Sequence, residues 1–148
     1  MEDVAAFIRQ LNIERPVLYG FSDGGIIGLL LAVRYPQMLS GLIVSGVNIN
    51  PGGIKKKYLL GMKITYFFTR NRKYKLMLTQ PDIKPSELNK ITTPTVLLAG
   101  SNDFCMDEHT RHIAENIPGS VLNILDGENH ASYVIHNDKL YGIIMPYI

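Results

Sequence analysis

Three residues with the chemistry of acyl transfer stand far apart in this 148-residue chain: Ser22, Asp103 and His130. Ser22 lies in "GFSDG", where Gly20, Ser22 and Gly24 fit G-x-S-x-G between a short apolar run and a helix-like stretch. A serine at a tight strand-to-helix turn is pressed into a strained backbone conformation, and side chains two residues away on either side would collide. Glycine at both places removes that collision and leaves the hydroxyl exposed above the sheet. The backbone N–H of Asp23 and the start of the helix then face the same spot, which favours a developing oxyanion. Gly-rich turns also arise for packing alone, so the motif leaves a nucleophile and a structural turn both open.

A nucleophilic serine needs a base, and the base needs an orienting acid. In an open parallel sheet these groups collect beyond the carboxyl ends of strands. Asp103 follows "TVLLAG" and His130 follows "SVLNIL", so Ser22, Asp103 and His130 each stand just past a different apolar run. That order points to Ser22 as nucleophile, Asp103 as acid and His130 as base. Asp126, four residues before His130, ranks second as the acid. Tyr133 either closes the site near His130 or packs beneath it. His109 and His112, with Glu108 and Glu115, have a spacing that could bind a metal, but no third ligand is evident and they read as polar groups of a surface helix. His136 falls in the closing helix, exposed or paired with Asp138. Cys105 reads as a small core residue. The chemistry requires no metal or organic cofactor.

The elements that must position these residues alternate. Residues 3–11 form an amphipathic helix, 16–20 a buried strand, and 23–36 a helix packed on a sheet and stopped near Pro36. "LSGLIVSG", "TPTVLLAG" and "SVLNIL" supply three more strands, residues 107–119 a helix, and residues 132–148 a closing helix. Strands that are nearly continuous in apolar residues and alternate with helices predict an α/β fold, a mostly parallel sheet with helices on both faces. Residues 47–90 interrupt the alternation as a helical insertion, a cap or lid on a single domain spanning 1–148.

Apolar residues make up 46% of the chain and charged residues 19%, which excludes a disordered chain. Gly24 to Val33, the longest apolar stretch, is too short to span a bilayer. The amino terminus "MEDVAAFIRQ" is not a signal peptide, and the single cysteine fits a reducing cytoplasm. The net charge of +2 is unevenly spread: residues 50–90 hold ten of the fifteen Lys and Arg against Asp82 and Glu87, giving +8, so the remainder carries −6. Aromatics are interleaved with these cations. Such a mixture could draw acidic substrates, a membrane surface or nucleic acid. The plainer expectation is a solvated basic face and an aromatic face packed inward, with no nucleic-acid partner and no stable membrane insertion.

Across "VLYGFSDGGIIGLLLA", "TPTVLLAGSNDF" and "ILDGENHASYVIH" the chain resembles the α/β-hydrolase family, over essentially its whole length. The resemblance implies a serine hydrolase with Ser22 as nucleophile, Asp103 as acid, His130 as base and Asp23 N–H in the oxyanion hole. It places the family's variable cap at residues 47–90, where Tyr66 and Phe67, with Tyr133, would contact a small-molecule acyl or ester substrate. The chain departs from the family at the front, where the strand and loop supplying a second oxyanion donor are not found. The resemblance therefore implies the carboxyl-terminal part of a hydrolase, weak or inactive at this length. It also leaves open a non-catalytic module that self-associates through an exposed sheet edge.

Overall fold

The computed structural model describes residues 1–136 and 138–148. Its frame is a four-stranded parallel sheet in chain order, made of β1 (Val17–Phe21), β2 (Gly41–Ser45), β3 (Thr95–Gly100) and β4 (Val121–Leu125). Parallel neighbours need crossover connections. These are supplied by α2 (Asp23–Arg34) between β1 and β2 and by α6 (Asp107–Glu115) between β3 and β4, while α1 (Glu2–Gln10) precedes β1. β2 and β3 are buried along their whole length, which is why they read as unbroken apolar runs. β1 and β4 are the outer strands.

The period-two alternation of the central strands sorts the core into two layers. Leu42, Val44 and Leu97 face one side, where they pack with Leu29, Ala32 and Ile113. Ile43, Val96 and Leu98 face the other, where they meet Tyr133 and the half-buried Leu140 and Ile144. The last two belong to α7 (Lys139–Ile144), which a short 3-10 turn (Met145–Tyr147) follows.

Between β2 and β3 lie a 3-10 turn (Pro51–Gly53) and three helices, α3 (Lys56–Thr69), α4 (Arg72–Thr79) and α5 (Pro85–Leu88). The expected inward packing of their aromatics is not what forms. Tyr66 is half-buried, but Phe67 and Phe68 are 64% and 78% exposed, and α3 has no fully buried residue. Among the described residues, no helix is long and apolar enough to cross a membrane.

Two other expectations are corrected. The closing helix does not run over 132–148, of which Asn137 lies outside the described residues. It begins only at Lys139, because residues 131–135 turn to seat Tyr133 in the core and His136 has φ 55, a value incompatible with a continuing helix. His109 is also not a surface group. It is half-buried, and its Nε2 accepts the N–H of Ile49 at 3.1 Å, so α6 holds the chain leaving β2. Among the described residues no His, Cys, Asp and Glu cluster is arranged to hold a metal.

The Ile49 bond requires a neutral His109. Burial, and then the neighbouring His112, hold the His109 pKa below the ordinary 6.5. The unfolded chain therefore binds more protons in the interval below 6.5, so stability from this site is complete above that pH and is lost as pH falls through the lower folded value. The urea midpoint should drop between pH 7 and pH 5.5, and His109→Gln should flatten that drop.

Candidate active site

Ser22 is the single residue between the end of β1 and the start of α2. Its backbone has φ 54 and ψ −120, a region that residues with a side chain rarely adopt. Two hydrogen bonds hold it there: the Ser22 N–H donates to the Ser45 carbonyl at 2.8 Å, and the Ile26 N–H donates to the Ser22 carbonyl at 3.0 Å.

Crowding dictates the glycines, although not at both expected positions. A Cβ on Gly20 would lie 2.4 Å from the Gly24 carbonyl oxygen, so that glycine is obligatory. A Cβ on Gly24 would meet nothing within 4 Å, whereas one on Gly25 would lie 2.4 Å from Val47 Cγ1 and 2.8 Å from the Gly20 oxygen. Gly25, not Gly24, is the second close-approach position, because it lies on the buried side of α2. Asp23 opens α2, so its N–H is among the first-turn donors that have no acceptor within the helix, at the positive end of the helix dipole.

The three expected residues converge. His130 Nε2 lies 3.2 Å from Ser22 Oγ, and His130 Nδ1 lies 2.9 Å from Asp103 Oδ1. Asp103 is 2% exposed and is fixed by the Cys105 N–H, which donates to Oδ1 at 3.1 Å. Its Oδ2 is buried and has no hydrogen-bond partner among the described residues. His130 is oriented by rings on two sides, Phe104 at 4.0 Å and Phe21 at 4.8 Å between centroids. The turn carrying it is built by Asn129, whose Oδ1 accepts the N–H groups of Ala131 and Ser132, both at 3.0 Å. Such a line can pass a proton from a hydroxyl to an imidazole while a carboxylate steadies the imidazolium.

The remaining candidates separate. Asp126 is exposed, and the acid facing His130 is Asp103. Tyr133 is fully buried and its hydroxyl shares a 2.7 Å hydrogen bond with Ser45 Oγ, so it is a core residue beneath the site and not a substrate contact. Burial raises its pKa, against the smaller lowering effect of the Ser45 hydrogen bond. Phe67 faces solvent and its ring partner is Phe68, at 5.2 Å. Tyr66, on the same helix, lies beneath the Arg70 guanidinium at 5.7 Å. Cys105 is buried, and desolvation, with the nearby Asp103 charge adding to it, pushes its thiol up to about 12, as suits an inert core residue.

Sequence reasoning missed four features. Phe21 and Phe104 flank the imidazole; each stands next to a site residue, the only hint available. Lys55 donates its ammonium to the Asp103 carbonyl, a contact 48 residues distant that no motif announces. Gly46, at φ +61, makes room for His130: a Cβ there would lie 2.7 Å from the ring Cε1. A cavity of about 430 Å³ opens beside Asp23, lined by Ile26, Ile27, Leu30, Leu76 and Met77.

No family model matches the chain. It is 33% identical over 64 residues to RutD of Stutzerimonas stutzeri (strain A1501), a protein with a proposed carbamate hydrolase activity; the match covers 43% of this chain and 24% of RutD. A second RutD, from Pseudomonas syringae pv. syringae (strain B728a), is 22% identical over 89% of this chain and 67% of its own length. Among solved structures, MGS-MChE2, an alpha/beta hydrolase enzyme from the metagenome of lagoon sediments at Mar Chica, Morocco, superposes with a TM-score of 0.76 at 20% identity, covering 99% of this chain and 66% of that one. Est816, described as an N-acyl homoserine lactone degrading enzyme, gives 0.76 at 20% identity, with 99% and 73% covered. The chain thus spans only part of the length of each of these four proteins.

Gly46 offers a direct test of the assembled geometry. Gly46→Ala places a methyl group against the imidazole and strains a positive φ, so the folded variant should lose the Ser22–His130 contact. Its labelling by a fluorophosphonate should fall by about 10²-fold or more, read by intact mass against time.

Proposed function

We propose, from the premise that this chain has the α/β-hydrolase fold, that it acts as a serine hydrolase on an ester or related acyl bond. The observation that carries this reading is the unbroken line from Ser22 Oγ through His130 to the buried Asp103 carboxylate. Ser22 attacks the substrate carbonyl as His130 Nε2 takes its proton. Asp103 holds the Nδ1–H tautomer and balances the imidazolium. The Asp23 N–H, at the head of α2, donates to the oxyanion. His130 then returns the proton to the leaving group, and a water deprotonated by the same imidazole hydrolyses the acyl-enzyme.

Substrate choice lies outside the triad. The cavity beside Asp23 is lined mainly by aliphatic side chains and is of ligand size, which favours an apolar group on the substrate. In this reading residues 47–90 act as the cap, with Leu76 and Met77 of α4 forming the cavity wall that faces α2. The activities named for the related proteins, carbamate hydrolysis and lactone degradation, belong to the same acyl-transfer class, and the triad serves either.

Fluorophosphonate treatment followed by intact-mass analysis tests the reading. Wild type should gain one adduct and Ser22→Ala none. Asp103→Asn should keep its fold but react about 10⁴-fold more slowly, because the imidazole loses the tautomer that accepts the serine proton. A folded wild type that gains no adduct, or an adduct that persists in Ser22→Ala, would overturn the assignment.

A further inference from the structure

α3 is apolar on two sides. Leu59, Met62 and Tyr66 are half-buried and form its inner side. Leu60, Ile64, Phe67 and Phe68 recur at i, i+4, i+7 and i+8, which places them on one arc of the helix. All four are exposed, at 60%, 50%, 64% and 78%. A helix that is apolar all round is ordinarily buried all round. Here the second stripe is uncovered, with the Phe67 and Phe68 rings packed edge to face at an interplanar angle of 87°.

The surroundings of this stripe identify what it fits. Lys56, Lys57 and Lys63 flank it, Arg70 caps the helix, and Arg72, Lys73 and Lys75 follow on α4; all seven are exposed. No Asp or Glu occurs between Lys55 and Pro81. Among the described residues, the ion pairs involve Lys84, Arg111, His130 and Lys139, and none of these seven cations. Arg70 lies 5.4 Å from the Phe67 ring centroid, so charge and apolar surface are contiguous. A protein partner would more commonly meet a rim with hydrogen-bonding groups of both signs. An apolar aromatic and aliphatic stripe bordered only by cations is the pattern of a helix lying in the plane of an anionic lipid interface. At 14 residues, about 21 Å, α3 is too short to cross a bilayer.

We propose that the outer face of α3 docks on an anionic lipid bilayer, with Leu60, Ile64, Phe67 and Phe68 entering the headgroup boundary and the surrounding lysines and arginines meeting lipid phosphates and carboxylates. The contact is peripheral and reversible. It requires no catalysis, so it stands whether or not Ser22 is a nucleophile.

Flotation with large vesicles tests it. The full chain should float with phosphatidylcholine vesicles containing phosphatidylserine at low salt, float weakly with pure phosphatidylcholine, and be released by high salt as the charges are screened. Phe67→Ser combined with Phe68→Ser should weaken partitioning by about tenfold or more, from lost apolar burial. Lys63→Glu combined with Lys73→Glu should weaken it on anionic vesicles alone. Ser22→Ala should float as wild type does, and circular dichroism should show every variant folded. The proposal is overturned by a folded chain that stays in solution at low salt, or by flotation that both double variants leave unchanged. It is also overturned if the Phe pair instead abolishes a concentration-dependent dimer or an oligonucleotide complex in a chain that does not float.

Discussion

The approach of α2 onto β1 is so close that no atom beyond hydrogen fits at Gly20, and the site depends on that contact. With Gly20 and Gly25 in mutual contact, the chain has one residue in which to change from strand to helix, and Ser22 takes the positive φ this demands. Such a conformation costs about 1–3 kcal/mol and persists only where its surroundings over-determine it. Ser45, at the end of the fully buried β2, provides much of that restraint. Its carbonyl accepts the Ser22 N–H, while its hydroxyl bonds the buried Tyr133, three residues beyond His130. One core residue therefore ties the strained turn to the segment carrying the imidazole, and Gly46 beside it leaves the space that the imidazole fills.

The acid is held from the opposite direction. Residues 103–106 lie against the start of the helical insertion: the Lys55 N–H donates to the Phe104 carbonyl at 2.9 Å, the Met106 N–H to the Gly53 carbonyl at 2.8 Å, and Ile54 bridges to Cys105. The Lys55 ammonium closes the set on the Asp103 carbonyl. Phe104, in the middle of this seam, stacks on His130 and meets Tyr58 of α3 at 6.1 Å. A displacement of the insertion would therefore reach both the acid and the ring that backs the base.

Much of this was legible from residue order. Strands whose every side chain is buried must be apolar throughout, so β2 and β3 announce themselves, and residues just past them are natural occupants of the carboxyl ends. Asp103 was readable for that reason, whereas Ser22 and His130, which follow the partly exposed outer strands β1 and β4, were readable from the G-x-S-x-G spacing and from their order after apolar runs. The failures share a different cause. Gly24 and Gly25 are equivalent in sequence, and only the azimuth of α2 on the sheet decides which one meets Val47. His109 and Tyr133 looked like surface or pocket residues because their partners, the Ile49 N–H and Ser45 Oγ, lie 60 and 88 residues away. The closing helix was drawn too long because its apolar residues continue through a stretch whose backbone, at His136, turns left-handed.

The insertion shows how one pattern can mislead about packing and still inform about charge. The aromatics of α3 were expected to pack inward behind a solvated basic face, yet of its apolar residues only Leu59, Met62 and Tyr66 are half-buried while Phe67 and Phe68 stay exposed. Within the insertion Lys84 pairs with Asp82, but among the described residues its other cations form no ion pair with the acidic residues that carry the −6 elsewhere, and charges beyond about 8–10 Å are largely screened at physiological salt. The two halves of the charge distribution thus act as separate surfaces. The segment beginning at Lys55 joins them physically, because its first residues are hydrogen-bonded to the acid loop while its later ones carry the uncovered stripe. Whatever α3 meets bears on a helix whose first turn is anchored beside Asp103, and the orientation of that surface fixes the direction in which the end of the sheet carrying Ser22, Asp103 and His130 faces.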